Sequence, residues 1–337
     1  MPSLLKYKYL ITLMLCLQAM LFAKEKKMDM DKQSRVFLDV INALSLPPLE
    51  TWSIEDIRKD DQNFWGYQST SLIKNVKDIS IPGAYGNIPL RIYLPLGEGN
   101  FPVMVTFHGG GWMTGSLKAN DGFCREVCNH VQCIVVSVDY RLAPEFPFPV
   151  PVEECYTATE WVVNNILKYQ GDPNRIAISG DSAGGNLAAA VTLMARDRGI
   201  LSHIRCQVLI YPVLDDNFER ASYIEFANDH LLTKNQMQFF WKNYFPSKHK
   251  KNPYAAPLQE EDLKKLPQTL VIQAYFDPLC DDSTAYAKSL RKAGVDVELL
   301  SYPTIHAFMS FADRLSIGKA ATDDVIAYLQ KALVREP

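Results

Sequence analysis

Ser182 stands in the segment Ser179-Gly180-Asp181-Ser182-Ala183-Gly184-Gly185, where the residue types and spacing suit attack on a carbonyl. A serine hydroxyl is a poor nucleophile at neutral pH. It becomes a good one when a histidine takes its proton as the new bond forms and a carboxylate steadies the imidazolium. The tetrahedral species that results needs hydrogen-bond donors already aimed at its oxygen. Each of these tasks finds a candidate in the chain. Gly-x-Ser-x-Gly follows the apolar run Ile176-Ala177-Ile178 and precedes the helix-forming run Asn186-Leu187-Ala188-Ala189-Ala190-Val191. Strand, sharp turn and helix is the setting that lifts such a serine clear of a sheet, because Gly180 and Gly184 carry no β-carbon to strike the neighbouring backbone.

The donors come from His108-Gly109-Gly110-Gly111-Trp112, directly after the strand candidate Val103–Phe107. Three successive glycines let backbone N–H groups approach a substrate closely. No Gly-Lys-Ser/Thr follows, so a phosphate cradle is excluded. For the carboxylate, Asp277 lies just beyond the apolar run Thr269–Ala274 and before Pro278, which restricts it to extended geometry. Asp281 and Asp282 are nearby rivals; Asp277 is preferred because it is nearest the strand end, where an open α/β sheet carries its active edge. The chain has six histidines. His306 is selected because it gives the order Ser182…Asp277…His306, the α/β-hydrolase order of nucleophile, acid and base.

Together these segments resemble the hormone-sensitive-lipase-like branch of the α/β-hydrolase esterases. Three further blocks carry the likeness: Asp139-Tyr140-Arg141-Leu142-Ala143-Pro144-Glu145, Asn252-Pro253-Tyr254-Ala255-Ala256-Pro257-Leu258 and Asp277-Pro278-Leu279-Cys280-Asp281. The match spans nearly the whole chain after about residue 75. The resemblance implies that the N–H groups of Gly110, Gly111 and Ala183 bind the oxyanion. It also implies small carboxylic ester substrates of short to medium acyl chain, with no metal or organic cofactor. Met113, Leu214 and Leu279 are candidates for the acyl-binding wall. One departure is visible: the family usually carries His-Gly-Phe at the catalytic histidine, and here His306-Ala307-Phe308 adds a methyl group. Plant hormone receptors that reuse this fold have lost the histidine, which counts against a purely ligand-binding role. An amidase or formamidase activity uses the same residue types and stays open beside ester hydrolysis.

The elements that must position these residues form an alternating series. Strand and helix candidates follow one another at 103–107 and 121–131, 134–138 and 152–168, and 176–179 and 184–197. Strands at 206–210, 269–273 and 297–301 continue the set, with a turn at Tyr302–Ile305, and two earlier strands fall near 78–81 and 90–94. Such alternation predicts an α/β-hydrolase fold: a mostly parallel central sheet flanked by helices on both faces. The expected organisation is N-terminal cap helices at 24–75, a catalytic domain at 76–214 and 257–337, and an aromatic-rich helical cap inserted at 215–256. Phe218, Tyr223, Phe226, Phe239, Phe240, Trp241, Tyr244 and Phe245 in that insertion serve to seat the cap, to line a pocket, or both.

Bulk properties narrow the partners. With 337 residues, 47% of them hydrophobic, the chain can bury a large core. Its net charge is −3, and without Lys6 and Lys8, the only charges before residue 24, it becomes −3 − 2 = −5. That mild acidity argues against nucleic acid, which usually selects a basic surface. Residues 1–23 read as a signal peptide. Two lysines precede an uncharged stretch from Tyr9 to Ala23, 15 residues, short of the roughly 20 that a membrane span needs. Cleavage after Ala23 would export the protein to a periplasm, the medium or a secretory lumen, with no stable membrane span left; an uncleaved N-terminal anchor is the alternative. A homodimer is compatible with the sequence. The six cysteines beyond the segment complete no zinc spacing and are expected as mostly free, buried thiols.

Overall fold

A computed structural model describes residues 28–246 and 251–333; the expected signal segment 1–23 lies outside them. Eight strands form one sheet: β1 (Asn75–Ile81), β2 (Ile88–Leu94), β3 (Phe101–Phe107), β4 (Ile134–Val138), β5 (Gly171–Asp181), β6 (Ile204–Ile210), β7 (Gln268–Phe276) and β8 (Val297–Ile305). Their spatial order is β1-β2-β4-β3-β5-β6-β7-β8. The β1–β2 and β2–β4 pairs are antiparallel, and every later pair is parallel.

The inner strands are apolar on both sides because helices cover both faces. In β3, Val103, Val105 and Phe107 join one core and Met104 the other, and in β4 Ile134, Val136 and Val138 part from Val135 in the same way. Helices α3 (Asp121–Val131) and α9 (Ser316–Ala332) cover one face. Helices α4 (Val150–Asn165), α5 (Ala183–Asp197) and α8 (Cys280–Lys292) cover the other. Before the sheet come α1 (Lys32–Ala43), capped by the Asp31 carboxylate on the Ser34 N–H at 2.9 Å, and α2 (Ile54–Phe64). The interval 215–256 holds α6 (Ala221–Glu225) and α7 (Lys234–Tyr244). Thr233 and Gln236 cap α7 reciprocally. No helix among the described residues is long and apolar enough to cross a membrane.

Several boundaries differ from the sequence reading. The segment Tyr302–Ile305, expected as a turn, continues β8, with Tyr302 opposite Ala274 and Ile305 opposite Phe276. Pro303 is tolerated there because β8 is an outermost strand, where a missing N–H costs no ladder bond. The free side of β8 is used instead by the Asp31 N–H, which donates to the Pro303 carbonyl at 2.7 Å. Strand β5 starts at Gly171 rather than 176, and the helix expected to reach 168 ends at Asn165, before a short 3-10 turn. Cys124, Cys128, Cys133, Cys155 and Cys206 are free and buried, and Cys280 is free and half-buried.

Candidate active site

Parallel pairing brings the carboxyl ends of β3, β5, β6, β7 and β8 to one edge: Phe107 is level with Gly180, Asp181 with Ile210, and Phe276 with Ile305. The chain turns from β5 into α5 at Ser182, whose φ of 55° and ψ of −117° lie outside the usual regions for a residue with a β-carbon. Backbone contacts hold it there: its N–H donates to the Ile210 carbonyl at 2.8 Å, and its carbonyl accepts from Asn186 at 3.1 Å and Val213 at 3.2 Å. A β-carbon on Gly180 would overlap the Gly184 carbonyl, so the turn depends on that glycine.

His306 follows the last residue of β8, and Asp277 follows the last residue of β7. The Ser182 Oγ lies 2.9 Å from His306 Nε2, and His306 Nδ1 lies 2.6 Å from Asp277 Oδ2. With Nδ1–H facing the carboxylate, Nε2 is left free to accept from the serine hydroxyl. The second Asp277 oxygen accepts the Leu279 N–H at 2.9 Å. The three residues are nearly closed off from solvent, at 9%, 6% and 1% exposure for Ser182, His306 and Asp277. The Tyr211 ring meets His306 edge-on at 5.0 Å.

Asp281 and Asp282, the rival carboxylates, are engaged elsewhere. Asp281 accepts the Ser222 N–H at 2.9 Å. Asp282 accepts from Leu214 at 3.1 Å and Asp215 at 3.2 Å, and pairs with Arg220 at 3.0 Å. Burial raises the Asp282 carboxyl to about 8, and those amides and Arg220 only partly offset it.

The glycine loop lies beside the serine turn. The His108 carbonyl accepts from Tyr140 Oη at 2.7 Å, and the Tyr140 ring stacks on the His108 ring with centroids 4.3 Å apart. The Gly109 carbonyl lies 2.8 Å from His108 Nδ1, and the Gly110 carbonyl accepts from Met113 at 3.0 Å and Thr114 at 2.9 Å. The Gly109 N–H donates to Asp181 Oδ1 at 3.0 Å. Among the described residues the N–H groups of Gly110 and Gly111 have no acceptor, and Ala183 is the first residue of α5, where a helix N–H has no intrahelical partner.

Helix α7 presses on this loop. Tyr244 stacks flat on Trp112 at 4.1 Å, Trp241 meets it edge-on at 4.9 Å, and Phe240 lies so close that a β-carbon on Gly111 would come within 2.5 Å of its ring. Met113, Leu214 and Leu279 are fully buried in the same apolar cluster as these rings. Three participants had weak or absent sequence signals. Asp181 sits inside the serine motif without a stated role, and Tyr140 sits inside a matched block. Arg58, in α2, has no sequence signal: its guanidinium donates to the Met113 carbonyl at 2.9 Å and the Ala143 carbonyl at 3.0 Å, and pairs with Glu145 at 2.7 Å.

Known proteins are similar in sequence and fold. A family model described as an alpha/beta hydrolase fold matches residues 104–310. The chain is 39% identical over 268 residues to the carboxylic ester hydrolase LipN of Mycobacterium tuberculosis, covering 77% of this chain and 71% of that one. It is 34% identical over 282 residues to the arylacetamide deacetylase of Bos taurus, covering 63% and 70% respectively. The crystal structure of a thermostable esterase from Pseudomonas putida superposes with a TM-score of 0.86 at 33% identity, over 91% of this chain and 99% of that one. Fold, site geometry and kinship agree that this chain belongs to the hormone-sensitive-lipase-like carboxylesterases of the α/β-hydrolase family.

Proposed function

We propose that the protein hydrolyses short- to medium-chain carboxylic esters through an acyl-enzyme on Ser182. The supporting observation is the unbroken series of short contacts from Ser182 Oγ through His306 to Asp277. His306 Nε2 takes the hydroxyl proton as Ser182 Oγ bonds to the carbonyl carbon, and Asp277 stabilises the imidazolium. The N–H groups of Gly110, Gly111 and Ala183 receive the oxyanion; one such donor contributes roughly 3–4 kcal/mol to lowering the barrier. The imidazolium then protonates the leaving alcohol. Water, deprotonated by the same nitrogen, attacks the acyl-enzyme and regenerates Ser182. Met113, Leu214 and Leu279 are proposed for the acyl wall, and residues 215–256 for a cap over the site.

Hydrolysis of p-nitrophenyl esters from acetate to palmitate, by protein starting at Lys24, tests this reading. Activity should peak at short or medium chains and vanish in Ser182→Ala; an active Ser182→Ala protein would overturn it. Amide hydrolysis is the second reading, favoured by the kinship to an arylacetamide deacetylase. Matched ester and anilide substrates separate the two. Export through residues 1–23 belongs to the same proposal: cell fractionation should recover mature protein beginning at Lys24 outside the cytoplasm. Homodimer formation is tested by sedimentation.

A further inference from the structure

We infer that Asp181 is a positioning residue for ester hydrolysis: by holding the Gly109 N–H it fixes the first peptide plane of the glycine loop and thereby aims the N–H groups of Gly110 and Gly111. The inference rests on the reading of Ser182 as nucleophile and of this loop as the oxyanion site.

The C=O and N–H of a trans peptide point in opposite directions, so pinning one end of the plane aims the other. Three successive planes are pinned. In the His108–Gly109 plane, Tyr140 Oη holds the carbonyl at 2.7 Å and Asp181 Oδ1 holds the N–H at 3.0 Å. In the Gly109–Gly110 plane, His108 Nδ1 holds the carbonyl at 2.8 Å, and the Gly110 N–H is left facing away, without an acceptor among the described residues. In the Gly110–Gly111 plane, the Met113 and Thr114 N–H groups hold the carbonyl at 3.0 and 2.9 Å, and the Gly111 N–H is left likewise. Glycines have wide backbone freedom, so an error in the first plane is passed on to the next two. Among the described residues Asp181 provides the only side-chain acceptor on that first N–H, and it is bonded directly to Ser182. One residue thus sets the oxyanion donors against the attacking atom, where the required placement is 2.7–3.1 Å from the developing oxygen.

A carboxylate is an expensive choice for packing alone. Burial raises the Asp181 carboxyl above its ordinary range, with only partial relief from His108 and the Gly109 N–H. Asp181 also lines a cavity of about 20 Å³ shared with Thr106, whose buried hydroxyl has no partner among the described residues. That volume suits one water molecule, enough to ease the charge without displacing the contact with Gly109.

The test compares wild type, Asp181→Ala, Asp181→Asn and Ser182→Ala in kcat and KM on p-nitrophenyl acetate. It also measures inhibition by an alkyl trifluoromethyl ketone, whose adduct places an oxyanion in the loop, and the thermal midpoint of each sample. Asp181→Ala should lose roughly 10- to 100-fold in kcat and in ketone affinity, with KM nearly unchanged and no fall in the midpoint. Asp181→Asn, which keeps an oxygen acceptor, should recover most of both. The inference is overturned if Asp181→Ala keeps its kcat, if Asp181→Asn falls as far as Asp181→Ala, or if losses follow the thermal midpoint. An active Ser182→Ala protein would instead overturn the site reading beneath it.

Discussion

Nδ1 of His306 lies 2.6 Å from the Asp277 carboxylate, while Asp281 and Asp282, only four and five residues further on, are taken up by amides at residues 222, 214 and 215. Three acidic residues of similar sequence standing therefore have separate tasks. Asp277→Asn should keep the fold and lower kcat by roughly 1,000- to 10,000-fold, because the amide favours the wrong imidazole tautomer. Asp281→Asn should keep kcat within a few-fold of wild type. Steady-state kinetics on one ester decides the matter, and equal losses in both variants would refute the assignment.

Asp282 should leave its mark on stability as a function of pH. Its carboxyl is raised to about 8 by burial, against an ordinary value near 4 in the unfolded chain. The folded protein thus retains a proton that the unfolded chain releases. The associated stability is complete below about pH 4 and is lost as pH rises through about 8. Urea titrations from pH 5 to 9 should show this decline, and Asp282→Asn should flatten it.

Ala307 adopts a φ of 58°, in the left-handed region that favours glycine, directly after His306. The His306 to Ser182 contact nevertheless stays at 2.9 Å, so the extra methyl group is absorbed as backbone strain rather than as displacement of the imidazole. Relief of about 1–2 kcal/mol in the folded state is opposed by about 0.4–1 kcal/mol of added freedom in the unfolded one. Ala307→Gly should therefore stabilise the protein by up to about 1.5 kcal/mol, with kcat little changed. A lower thermal midpoint would contradict this.

Phe240 is the residue of α7 that lies against Gly111. Its truncation to alanine should cost about 3 kcal/mol of stability and shift the preferred acyl chain to greater length. A p-nitrophenyl series run on the folded variant reads the shift; an unchanged profile would assign Phe240 to packing alone.

The thiols should be inert while the chain is folded. Burial pushes Cys128, Cys206 and Cys280 up to about 12 and raises Cys124, Cys133 and Cys155 as well, so little reactive thiolate forms near neutrality. Iodoacetamide at pH 8 should label these residues only after unfolding, as peptide mass spectrometry would reveal. Labelling of Cys280 in the native protein would point to local opening at the start of α8.

What the sequence by itself determined is the chemistry and its linear order. Gly180, Ser182 and Gly184 announce a turn that needs missing β-carbons, the runs before them announce strands, and the alternation of strand and helix leads to a parallel sheet. These are local signals, carried by residue type and short spacing. The sequence favoured Asp277 over Asp281 and Asp282 by its place at the strand end, but only the tertiary structure shows it reaching His306, while contacts across the sheet edge take up the other two. The same holds for Pro303, whose place in a strand depends on β8 having an open side that Asp31 then uses. Arg58 gripping the Met113 carbonyl and Asp181 gripping the Gly109 N–H also join residues 55 and 72 positions apart. No local pattern encodes such pairs: the backbone groups they hold look alike in sequence, and only the folded sheet brings each one to its partner.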